Sequence, residues 1–250
     1  MGVSWKLALN YLKNNKKRTY ILSACILIST ILITTMLLLI DSYRECQISS
    51  IRKKANWEVG YNGITYEEAC TLEKHTNVKE ISVIYDKGVI KTESSIHLNN
   101  INIDISMKLV GYDNNALKNL VKNNVIEGRL PENSSEIVCD ENIGNFKIGE
   151  ILTQKLDNGE TKEYTIVGKI NGMNIPSYSS DQFITLLDRS ELTSDDRVNI
   201  TILSNNIKQI YDDYFDIYYM LDSYRNEKGS SLGNMTTYNT QLLEYSNVLD

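Results

Sequence analysis

Histidine is almost missing from this sequence: His75 and His97 are the only two in 250 residues. Neither has a partner at zinc-site spacing, and no H-E-x-x-H run occurs, so a histidine-built metal centre is excluded. The four cysteines, Cys25, Cys46, Cys70 and Cys139, contain no C-x-x-C pair, which removes zinc-ribbon and thioredoxin-like chemistry. Cys70 and Cys139 could pair outside the cell, although unpaired small apolar residues are the reading their separation favours. No G-x-S-x-G elbow is present. Residues 144–149 imitate the glycine spacing of a P-loop, but Glu150-Ile151 stands where Lys-Ser/Thr is required. Many carboxylates are present, yet nothing in their spacing brings two together as acid and base. Hence no catalytic, cofactor-binding or metal-ligating residue is assigned, no cofactor is expected, and the chain is read as non-enzymatic. Two prolines and no low-complexity tract or tandem repeat speak against a long disordered linker.

Charge is also missing, but only locally. Residues 20–40 (YILSACILISTILITTMLLLI) carry none. As a helix they extend about 31 Å, against ~30 Å of bilayer hydrocarbon. Their polar members are Ser and Thr, whose hydroxyls can bond carbonyls one turn back and are tolerated in lipid. A helix of this length in a soluble protein would normally show a polar stripe, which argues against a buried core helix. A cleaved signal peptide would have a shorter apolar run followed by a small-x-small site. The run is therefore expected to be a transmembrane anchor.

What surrounds the anchor is asymmetric. Five of the 26 basic residues lie in residues 1–19 (Lys6, Lys13, Lys16, Lys17, Arg18), with none of the 32 acidic ones. All acidic residues follow the span, beginning at Asp41. The positive-inside bias places the amino terminus in the cytoplasm and the acidic body outside. An acidic body also argues against nucleic acid, which needs a basic face. Trp5, Ala8, Leu9 and Leu12 repeat at helical spacing, as an amphipathic helix at the inner leaflet would.

Beyond the span, residues 41–56 keep helical spacing without Gly or Pro, so the helix is expected to continue outward as a stalk. Thr65 with Glu68 three residues later has capping-box spacing. Ile101, Ile103, Ile105, Met107 and Leu109 alternate with polar residues, the mark of a half-buried strand. Further strands are expected at 57–63, 78–85 (with a turn at Gly88), 136–139, 149–156, 163–170, 183–187 and 197–203, with a hairpin turn at Asp157-Asn158-Gly159. Residues 114–123 offer a short helix. The pattern Ile207, Ile210, Tyr211, Tyr214, Ile217, Tyr218, Leu221 predicts a helix over 204–224 capped by Ser204, its tyrosines packing with the core. Another begins at Tyr238.

Three stretches together resemble FtsX-like/MacB-like permeases of bacterial ABC transporters. They are MGVSWKLALNYLKNNKKRTYIL at the start; Ile126-Glu127-Gly128-Arg129-Leu130-Pro131-Glu132-Asn133-Ser134-Ser135-Glu136-Ile137-Val138 with Phe146 to Glu150 and Tyr164 to Gly168 in the middle; and Tyr238-Asn239-Thr240-Gln241-Leu242-Leu243 near the end. The last is most like peptide-antibiotic resistance permeases of Gram-positive bacteria. In the central run Gly128 suits a positive φ, Leu130-Pro131 an extended turn, and Asn133-Ser134-Ser135 local caps, so it reads as architecture rather than a binding site.

The resemblance implies an α+β extracytoplasmic domain, of mixed and antiparallel sheet with short helices, on one N-terminal transmembrane helix. Its divisions would be a cytoplasmic basic helix (1–19), the transmembrane helix (20–40), a helical stalk (41–56), a MacB-like extracytoplasmic domain (57–237) and the start of a segment leading to a second span (238–250). It further implies a bacterial plasma-membrane permease working as a homodimer with a cytoplasmic ATP-binding subunit. The cargo would be an amphiphile such as an antimicrobial peptide or a lipoprotein. Family members continue through further spans, so the chain is expected to be an amino-terminal portion or a truncated or degenerate paralogue. The alternative is a single-pass, membrane-anchored ectodomain that binds a ligand or partner without transport. A divisome regulator of a cell-wall hydrolase ranks last, because such ectodomains are smaller.

Overall fold

The computed structural model describes residues 11, 13–98, 101–143, 146–155, 161–172, 182–209 and 236–246. It divides into two units, Met1–Gln47 and Ile48–Asp250. The expected amphipathic helix over residues 3–13, most of the helix over 204–224 and the Asp157-Asn158-Gly159 turn lie outside the described residues.

Helix α1 runs unbroken from Lys16–Lys54, 39 residues, beginning in the first unit and ending in the second. Its mean hydropathy reaches 2.4 over an 18-residue window, long and apolar enough to cross a membrane. Helical continuity through so many Ile and Thr residues is helped by the absence of Gly and Pro, and back-bonding satisfies the Ser and Thr hydroxyls. The Ser29 hydroxyl donates to the Cys25 carbonyl at 2.8 Å, Thr34 to Thr30 at 2.9 Å and Thr35 to Ile31 at 2.7 Å. No side chain in α1 is buried, and Leu32 and Leu38 are each about two-thirds exposed. So much bare apolar surface calls for lipid as its solvent.

The second unit is an α+β domain. Its strands are β1 (Val59–Thr65), β2 (Val78–Leu98), β3 (Ile101–Tyr112), β4 (Val125–Gly128), β5 (Glu136–Asp140), β6 (Ile151–Lys155), β7 (Thr161–Ile170), β8 (Gln182–Leu186), β9 (Arg197–Ser204) and β10 (Thr236–Tyr238). They form one mixed sheet in the order β10-β1-β9-β2-β3-β8-β5-β7-β4, with β6 also pairing β7. The parallel pairs are β3 with β8 and β5 with β7. Between the strands lie α2 (Tyr66–Leu72) and α3 (Asn114–Ala116), which runs on through a π turn (Leu117–Val121) and a 3₁₀ turn (Lys122–Asn124), and α4 (Thr240–Tyr245) follows β10.

Side-chain alternation divides the core into three. Ile81, Val83, Ile200 and Ile202 pack under α2 and α4 through Ala69, Leu72 and Leu243. Ile84, Val110, Tyr112, Val138 and Ile184 pack instead under the turns after α3 and the chain following α1, through Leu117, Leu120, Ala55 and Trp57. Leu109, Ile137, Cys139, Ile166 and Phe183 form the third with Ile90, Phe146 and Leu152. There the strands curl round: the buried Gln154 of β6 bonds the Lys87 and Val89 carbonyls of β2 across the seam.

Several expectations meet a different local structure. Gly88 (φ +97°) does not end a strand; it sits in a bulge between Asp86 and Val89, and β2 continues to Leu98. A bulge absorbs the positive φ that suggested a turn. Ser204 is not a helix cap, since its hydroxyl and N–H both turn to Glu58; the short 3₁₀ turn Ile207–Gln209 is held by Asn206 instead. Residues 114–124 coil as α, π and 3₁₀ turns in succession rather than as one helix. The chain around Tyr238 is first strand β10, and α4 starts only after Asn239. Thr65 and Glu68 do form the reciprocal capping box.

Candidate coupling site

The last turn of α1 carries Arg52, Lys53 and Lys54, the charge sign that a helix carboxyl end favours. Its final carbonyl is taken up by the domain. Ala55 donates back to Ile51 at 3.1 Å, and the Asn124 side chain donates to the Lys54 carbonyl at 2.6 Å and to Leu120 at 2.8 Å. The Asn56 N–H donates to the Asn119 carbonyl at 2.9 Å. Ala55 and Trp57 are buried. The last carbonyl of the helix is thus capped by Asn124, from the turns after α3.

Four residues further on, Glu58 is 1% exposed. A carboxylate at that depth is costly unless every oxygen is used. One oxygen accepts from the Arg52 guanidinium at 3.0 Å. The other accepts from the Ser204 N–H at 2.7 Å and from the Ser204 hydroxyl. Its backbone is committed too: the Glu58 N–H donates to Ile202 and its carbonyl accepts from Asn239, each at 3.0 Å. Asn239, also buried, donates its side-chain amide to the Trp57 carbonyl at 3.0 Å and caps α4. The end of α1, the end of β9 and the start of α4 therefore converge on Glu58. Nothing in the sequence marked this: Arg52 and Glu58 belong to no motif, and their partners lie about 150 to 190 residues away in β9 and before α4.

A second cluster surrounds Arg189. Its guanidinium donates to Asp113 at 2.7 Å, to both oxygens of Glu73 at 3.0 and 3.1 Å, and to the Ile81 carbonyl at 2.8 Å. Asp113 caps α3 through Ala116; burial pushes its pKa up, against the pull of the Ala116 N–H and of Arg189. A cavity of about 420 Å³ opens here beside Asn114, Asn115, Leu187 and Asp188. Two carboxylates already neutralise Arg189, and among the described residues no other Lys or Arg lines the cavity. The cluster is a clamp between α2, β2 and α3.

The central run around Gly128 is a turn built on Arg129, which pairs with Glu136 and more distantly with Glu132. Gly128 has φ +76°, and a Cβ there would lie 2.2 Å from the Val167 carbonyl. The Arg129 guanidinium meets both oxygens of Glu136 at 2.6 and 2.7 Å, and Asn133 caps Ser135 at 3.0 Å. Arg129 and the Glu132 N–H hold the Glu136 carboxyl down at about 2. All four cysteines are free thiols; Cys139 is buried in β5 while Cys70 lies on α2. Among the described residues no three His, Cys, Asp or Glu side chains gather as metal ligands would.

No family model matches the chain, and no curated protein sequence matches it. Solved structures do show similarity. The periplasmic region of MacB from Actinobacillus actinomycetemcomitans aligns at 12% identity and a TM-score of 0.49, covering 79% of this chain and 95% of that one. The extracellular domain of the ABC-type transporter YknZ from Gram-positive bacteria aligns at 14% and 0.46, over 73% and 98%. A domain of a permease protein from Porphyromonas gingivalis aligns at 14% and 0.40, over 65% and 71%.

Proposed function

We propose that the chain is a membrane-anchored component of an FtsX/MacB-type ABC permease, its amino terminus cytoplasmic and its α+β domain extracytoplasmic. The observation that carries this is α1: one helix starts in a span-length apolar run and ends hydrogen-bonded into a folded domain. The three stretches of sequence resemblance, in family order, supply the family. In this reading a cytoplasmic ATP-binding subunit drives a homodimer, and hydrolysis moves α1, which works the outer domain as a lever. No transport path through the domain is needed. The cargo class is an amphiphile such as an antimicrobial peptide, removed from or expelled across the membrane.

Affinity capture of the tagged chain from its native membrane tests this reading. Stoichiometric recovery of an ATP-binding subunit, with nucleotide-dependent protection of the outer domain from protease, is expected. Recovery from the membrane with no ATPase would overturn the transporter reading and favour a single-pass ectodomain that binds a ligand without transport.

A further inference from the structure

We infer that Glu58 is a positioning residue that couples the segment entering the domain to the segment leaving it. The inference stands on the geometry of the domain alone, whatever the chain transports. Arg52 sits on the last turn of α1, and α4 follows β10 near the other end of the sequence. Both are nonetheless fixed to Glu58. The carboxylate holds Arg52 at 3.0 Å, and the same residue's carbonyl holds the Asn239 N–H at 3.0 Å. Asn239 then carries α4 on its own carbonyl, which accepts from Leu243 at 3.0 Å.

The alternatives for Glu58 are few because it is buried. With both oxygens occupied, a shift of the α1 end that withdraws Arg52 leaves a desolvated carboxylate that must either re-pair or move. Moving it displaces the two peptides that flank the Glu58 Cα, and their carbonyls, those of Trp57 and Glu58, are the two acceptors of Asn239. The cap of α4 therefore loosens before any direct contact with α1 is needed. Coupling of this kind travels through a contiguous bonded path with named members. The Ser204 bonds at the other oxygen tie the end of β9 into the same response.

Hydrogen exchange on the whole chain in lipid nanodiscs tests it. Arg52→Ala is expected to speed exchange of the α4 amides, Leu243 to Ser246, roughly tenfold, with a smaller rise at Ser204. Glu58→Gln, which keeps the shape of the side chain, is expected to give part of the same effect. Arg129→Ala removes an ion pair elsewhere in the domain and serves as the control, with α4 unchanged within about twofold. The inference is overturned if Arg52→Ala and Glu58→Gln leave α4 exchange as it was. It is equally overturned if Arg129→Ala accelerates α4 as much, or if the Arg52 effect spreads evenly over all strands, since either marks general loosening.

Discussion

Tyr164 of β7 donates its hydroxyl to the side-chain oxygen of Gln154 at 2.9 Å, and the amide nitrogen of that Gln154 reaches back to β2 at 3.3 and 3.4 Å. One buried amide therefore fastens the seam where the strands around Phe183 and Ile166 curl together. Gly88, at the adjoining bulge, lies beside it: a Cβ there would stand in ordinary contact, 3.6 Å from the amide nitrogen, so the positive φ rather than space favours glycine.

Replacing Gln154 with Leu is expected to strand the Tyr164 hydroxyl and two carbonyls at once, at about 1–3 kcal/mol of unfolding free energy. Tyr164→Phe removes a donor and leaves the amide its β2 partners, so about 0.5–1.5 kcal/mol is expected. Urea titrations of the two single variants and the double variant check this. The double variant should lose clearly less than the sum, because the residues act through one bond.

Acid should act on the turn before β5. The Glu136 carboxyl is held at about 2 by Arg129, below its ordinary 4.5. A depressed folded value means the stabilisation is complete above about 4.5 and is lost as pH falls toward 2. Thermal melts across that window should show the native chain losing more stability than Arg129→Met, whose Glu136 lacks the partner. Equal slopes for the two would show that the pair contributes nothing to acid sensitivity.

Gly128→Ala probes the same turn through its backbone. A left-handed φ costs an L-residue roughly 1–2 kcal/mol, and the new methyl would also collide with the Val167 carbonyl and Gly168 Cα at 2.2 and 2.8 Å. Those atoms belong to the ladder between β4 and β7 and have little room to retreat. A loss of at least about 2 kcal/mol is expected, read as a lowered denaturation midpoint. Gly149→Ala, with a similar φ of +88° but open space around it, should cost only the strain.

Residues that act locally were legible in the sequence. The capping box at Thr65 and Glu68, the positive φ of Gly128 and the alternation from Ile101 to Leu109 each follow from contacts within a few residues, and the α+β class follows from their sum. The apolar run of α1 was plain for the same reason. What stayed hidden is what depends on distant pairing. β4 is a four-residue edge strand whose only distinction is that β7 lies beside it. Gly88 looks like a turn until β2 is seen to continue past it alongside β3. Glu58 is one glutamate among many, and its burial depends on Arg52, Ser204 and Asn239 meeting around it. The candidate site was therefore invisible, because convergence of single charges has no periodicity or spacing.

The cysteines offer a test of orientation. Cys46 is exposed on α1 just past the apolar run, Cys25 lies inside that run, and Cys139 is buried with its thiol pushed up to about 11 by desolvation. If the amino terminus is cytoplasmic, a membrane-impermeant maleimide given to intact cells should label Cys46. It should spare Cys25, which lipid shields, and Cys139, which has almost no thiolate at neutral pH and no access. In a Cys70→Ser background, which removes the half-buried thiol on α2, Cys46→Ser should then abolish most of the labelling. Labelling of Cys46 only after the cells are opened would reverse the orientation and put the acidic domain in the cytoplasm. Strong labelling of Cys139 in the folded chain would instead contradict the packing of β5 between β7 and β8, on which the third core depends.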